Sequence, residues 1–108
     1  MRPYTIQEIR ELVAPVARKY HLSAEYLFRS YARGEATEDS DVDLLLDLQG
    51  SDIHGLEFGS LYLDLEKAIG TRVDIVTVDS LEQPTTRRGR LHFRENVKRE
   101  RMMIYAAA

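Results

Sequence analysis

The chain has 108 residues, 44% of them hydrophobic and 31% charged, with a formal net charge of -3 and no cysteine. That length fits a single domain over residues 1–108 with a modest core, and the apolar content excludes extensive disorder. No apolar run approaches the roughly 18 residues of a membrane span, the missing cysteines exclude a disulfide framework or thiolate metal site, and an N-terminus with Pro3, Gln7, Glu8 and Glu11 does not read as a signal peptide. A cytoplasmic location and no membrane partner are expected.

Thr5 with Glu8 reads as a capping box, and Ile6, Ile9, Leu12, Val13, Val16 and Tyr20 recur at helical spacing. The spacing predicts a helix over 5–20, kinked or restarted at Pro15. Glu25 to Ser30 reads as a short strand, and Tyr31 to Thr37, with Gly34, as a tight connection. A second strand is predicted over 41–48, a loop over Gln49, Gly50, Ser51 and Asp52, and an amphipathic helix over Leu56 to Ile69 with Gly70 as its C-cap. Arg72 to Val78 is rich in β-branched residues and predicts a third strand. Pro84 ends any helix begun at Leu81, the segment 88–100 reads as helical, and "RMMIY" as a final strand. This order implies an α/β or α+β domain, a mixed sheet backed by helices.

Charge is unevenly spread. Residues 87 to 101 hold seven basic side chains (Arg87, Arg88, Arg90, Arg94, Lys98, Arg99, Arg101) against Glu95 and Glu100, a balance of +5 that leaves -8 for the rest. A solvated helix face is the commoner meaning of such a run; the other is a surface for an anionic protein or nucleic acid.

The chemistry lies in the second strand. Alternate residues of a strand point the same way, so Val42, Leu44, Leu46 and Leu48 form one face, and Asp41, Asp43, Leu45 and Asp47 the other. Like charges on one face repel, so that face is expected to open to water or hold a cation. Two aspartates at i and i+2 suit Mg²⁺ or Mn²⁺, which prefer hard oxygen ligands, and paired metals can clamp a phosphoryl displacement. Asp74, on an otherwise apolar strand, is the candidate third carboxylate. Taken alone, the pattern is more often an ordinary half-exposed strand. A calcium loop starting at Asp39 fails, because its sixth position is Leu44 and its twelfth is Gly50. His21, His54 and His92 are scattered without metal-ligand spacing.

The run "LFRSYARGEATEDSDVDLLLDL" resembles the signature of the minimal nucleotidyltransferases, small members of the DNA polymerase β superfamily that act as antitoxins to HEPN-domain toxins. That signature is an apolar strand, Gly-Ser, a spacer, and Asp-x-Asp followed by leucines. Here Leu27 and Phe28 lead to Ser30, and ten residues separate Ser30 from Asp41, Val42, Asp43 and Leu44. The likeness continues through "RVDIVTVD" and includes the leading helix.

The resemblance implies a polymerase β-like fold and a set of roles. Ser30 matches the serine that holds the donor triphosphate, Asp41 and Asp43 the metal-binding pair, and Asp74 the third carboxylate, which also activates the incoming hydroxyl. Gly34 matches a turn glycine. The implied activity is transfer of AMP from ATP, with Mg²⁺ or Mn²⁺, to a tyrosine of a partner HEPN ribonuclease, which silences it. One position departs from the signature, because Arg29 stands where glycine is expected before Ser30. That glycine lets the backbone approach the triphosphate, so Arg29 either fills the nucleotide space, pairs with phosphate or takes a metal position beside the aspartates. Two alternatives stay open: an impaired antitoxin acting by direct toxin binding, and a stand-alone nucleotidyltransferase for RNA or a small molecule, with nucleic acid the less favoured partner.

Overall fold

The computed structural model describes residues 3–107. Helix α1 spans Ile6–Lys19 and opens with the expected capping box, Thr5 and Glu8 each bonding the other's main-chain N–H. It runs unbroken past Pro15, contrary to the expected kink or restart. Pro15 and Glu11, whose carbonyl loses its helical donor, both lie on the exposed side, where an unmade bond is least costly.

Strand β1 (Ala24–Phe28) is followed by a one-turn helix, α2 (Ser30–Arg33), closed by Gly34 at φ 73°. Ser30 therefore starts a helical turn and does not end a strand. Strand β2 covers Val42–Asp47, helix α3 Leu56–Ile69 with Gly70 as its left-handed cap, and strand β3 Val73–Thr77. A short helix α4 (Val78–Leu81) ends where a helix had been expected to begin, because the Thr77 side chain caps its first turn by accepting from the Ser80 N–H. Helix α5 (Arg88–Glu100) and strand β4 (Met102–Ala106) complete the chain.

The sheet order is β3-β2-β1-β4. β1 pairs antiparallel with β2 and β4, whereas β2 and β3 are parallel, joined by the α3 crossover. The result is the mixed α+β layer expected. On one sheet face Leu27, Val42, Leu44 and Leu46 pack against Ile9 and Val13 of α1 and Leu61, Leu65 and Ile69 of α3. On the other, Phe28 and Leu45 pack with Leu81 of α4 and Val97 of α5. The aspartate face of β2 is thus roofed: Leu45 is fully buried and Asp43 nearly so, while Asp47, at the other end of the strand, is half-buried. No described helix is long and apolar enough to cross a membrane.

Candidate active site

The parallel register sets Asp43 directly beside Asp74. On the other flank, Phe28 is the cross-strand partner of Asp43, so the end of β1 and the residue that follows, Arg29, meet the same point. Asp43 is 5% exposed. Burial raises its pKa to about 6, with nearby Asp74 and Asp41 adding to the rise and Arg29 opposing it. The Asp74 side chain is 56% exposed and faces the open side of the site.

Arg29 holds these acids together. Its Nη1 lies 3.3 Å from Asp74 Oδ2 and 3.5 Å from Asp43 Oδ1. The guanidinium also sits over two aromatic rings, 5.4 Å from the Phe28 centroid and 5.2 Å from that of Phe93, which themselves meet edge to face. Its backbone has φ 60° and ψ -136°, near a region that residues with a Cβ enter at a cost of about 1–3 kcal/mol. The chain thus keeps a glycine-like turn before Ser30 although the residue is arginine. The Arg29 N–H donates to Glu100 Oε1 at 3.0 Å, and Arg33 grips the same carboxylate through Nε, at 2.8 Å from Oε2, and Nη2. Those contacts hold the Glu100 carboxyl below its ordinary range, the Arg33 bond first among them.

Of the residues expected at the site, Ser30, Asp43, Asp74 and Arg29 gather at one end of the sheet. Gly34 closes α2 and stabilises the turn from outside. Asp41 lies one residue before β2 and pairs with Arg72, Asp41 Oδ1 being 3.2 Å from Arg72 Nε. Among the described residues no three His, Cys, Asp or Glu side chains converge as a metal cluster. In this arrangement the residues do not fit a divalent ion: two carboxylates face each other across a guanidinium, and the third turns to a different arginine.

Glu100, Phe93 and Arg72 went unnoticed in the sequence as parts of the site. Glu100 lies 71 residues from Arg29 along the chain, and no local pattern links them. The basic run is also less free than its charge suggests. Arg94 donates to the Leu81 and Gln83 carbonyls, Arg90 to that of Ser80, Lys98 pairs with Glu82, and Arg101 covers Tyr26.

Residues 9–102 match the model of the nucleotidyltransferase domain. The chain belongs to this family. Among its relatives, the protein adenylyltransferase MntA of Thermococcus cleftensis is 39% identical over 89 residues, covering 76% of this chain and 86% of the relative. MJ1379 of Methanocaldococcus jannaschii, described as a protein adenylyltransferase, is 35% identical over 85 residues, 74% and 85% of the two chains. A solved structure described as a minimal nucleotidyltransferase superposes with TM-score 0.63 at 35% identity, covering 91% of each chain. A toxin–antitoxin structure with AMP-PNP gives TM-score 0.65 at 20% identity over 91% of this chain and 73% of the other, a likeness of fold. The nucleotidyltransferase fold thus accounts for the mixed sheet, the α3 crossover and the helix after β1.

Proposed function

We propose that this nucleotidyltransferase is an antitoxin that moves AMP from ATP to a tyrosine hydroxyl of a partner HEPN ribonuclease toxin and thereby neutralises it. The observation that carries the reading is the in-register pairing of Asp43 with Asp74 beside Ser30. Relatives named as protein adenylyltransferases support a protein acceptor.

In the transfer, the phenolic oxygen attacks the α-phosphorus, an O–P bond forms, and the bond from that phosphorus to the bridging oxygen breaks to release pyrophosphate. The donor would be ATP, and any Mg²⁺ or Mn²⁺ would have to arrive on its phosphates, because Arg29 stands between the two carboxylates. Ser30, at the head of α2, holds the triphosphate by its hydroxyl. Asp74, open to solvent, takes the phenolic proton from an acceptor brought in from outside. Asp43, buried and fixed against Phe28, orients the site from within.

Arg29 favours a second reading, neutralisation by contact alone, because its side chain bridges both carboxylates. Incubation with labelled ATP, Mg²⁺ and a candidate HEPN toxin, followed by intact mass of both chains, separates the two. One AMP on the toxin, lost when the tyrosine is replaced by phenylalanine, supports transfer. A stable complex with unmodified, silent toxin favours contact. Label appearing on RNA, with neither toxin modification nor a complex, overturns both and leaves a stand-alone enzyme.

A further inference from the structure

We infer that Arg29 is the resident cation of this site: its guanidinium takes the place between Asp43 and Asp74 that a divalent ion would need, so the ion and the side chain exclude each other. The inference rests on the reading of Asp43 and Asp74 as the transfer site and concerns how that site is charged.

Three independent constraints fix the guanidinium. The carboxylates approach Nη1 to 3.3 and 3.5 Å. The rings of Phe28 and Phe93 flank it at 5.4 and 5.2 Å. Its own main-chain N–H is tied to Glu100, which Arg33 holds in turn. An ion entering between the acids would have to displace a side chain held at both ends.

The charge balance points the same way. Asp41, Asp43 and Asp74 against Arg29 and Arg72 leave a net charge of -1. A divalent ion added to that set would overcharge it. With glycine at position 29 the same set carries -2, which one divalent ion neutralises. Arg72 accounts for Asp41, so the ion site created by losing Arg29 would centre on Asp43 and Asp74.

The test measures Mn²⁺ binding directly, without nucleotide or toxin, from the EPR signal of the free ion, on the wild-type chain, Arg29→Gly and Arg29→Met. The methionine variant keeps an apolar side chain between the rings and removes the charge, so it serves if the glycine variant is poorly folded. Expected is tighter Mn²⁺ binding in both by about tenfold or more, the scale of one unit charge removed from a few ångströms away, and loss of the gain when Asp43→Asn is added. Equal Mn²⁺ affinity in the wild type and both variants overturns the inference, and so does a lack of binding in all three. Because no transfer is measured, failure here is distinct from failure to adenylylate a toxin.

Discussion

The main-chain N–H of Arg29 donates to the Glu100 carboxylate, joining the turn that opens the site to the last residue of α5. The Glu100 side chain is 16% exposed and also receives Arg33. Glu100→Gln weakens the charge-assisted contacts and should lower stability by about 1 kcal/mol at neutral pH, a figure discounted because Arg33 is half exposed. The folded pKa of Glu100 lies below its unfolded value. Its contribution is therefore present above the unfolded pKa and lost as pH falls through the folded one. Urea unfolding from pH 7 down to 3 should show a shallower acid loss in the variant, and an identical acid limb would count against the tie.

Asp43 has the opposite sign. Its carboxyl titrates at about 6 when folded, above the ordinary aspartate value of 3.8, so the native state binds the extra proton between these values and stability falls as pH rises across the window. Asp43→Asn should abolish that slope and gain about 1–2 kcal/mol at pH 7, while removing transfer activity. A destabilised Asp43→Asn at pH 7 would show that the Arg29 contact outweighs burial.

Glu25 is a second acid with this behaviour, on the opposite face of the sheet. It is fully buried in β1, opposite Leu46 of β2 and Tyr105 of β4, and neither carboxyl oxygen has a hydrogen-bond partner among the described residues. Burial raises its pKa to about 8, so stability should decline from roughly the unfolded carboxyl value near 4.3 up to that pH. Glu25→Leu should be more stable than wild type at pH 9 by about 2 kcal/mol or more, and by less at pH 5. Melting curves at the two pH values decide it; a leucine variant weaker at both would mean that the acid has a partner.

Arg94 and Arg88 should separate structure from surface in the basic run. Arg94→Ala leaves the Leu81 and Gln83 carbonyls without their donor and should cost about 1–3 kcal/mol. Arg88→Ala, at the exposed start of α5, should stay within about 0.5 kcal/mol. If an acidic partner docks on this helix, the Arg88 change should instead slow association at low salt. Charge reversal at Arg94 is a poor probe of docking, because it would disturb the α4–α5 connection as well.

The parts of this fold written in local pattern were legible in the sequence. The capping box of Thr5 and Glu8, the α3 periodicity with Gly70 and the β-branched run of β3 each depend on neighbours a few residues away. The pairing of Asp43 with Asp74 depends on strand register, which only the assembled sheet fixes. Asp41 read as part of the metal pair because i and i+2 share a strand face, but the strand begins at Val42, which frees Asp41 to turn to Arg72. The roof over Leu45 also escaped notice. It is built by α4 and α5, whose apolar residues are few and spread among charges.

The glycine-like backbone at Arg29 bears on how readily this position can be exchanged. Every arginine codon lies one base from a glycine codon. The chain around Arg29 already follows the path a glycine would take. An Arg29→Gly change would thus relieve backbone strain without rerouting the loop. A single mutational event, selected or designed, would exchange a cation built into the polypeptide for one drawn from solution.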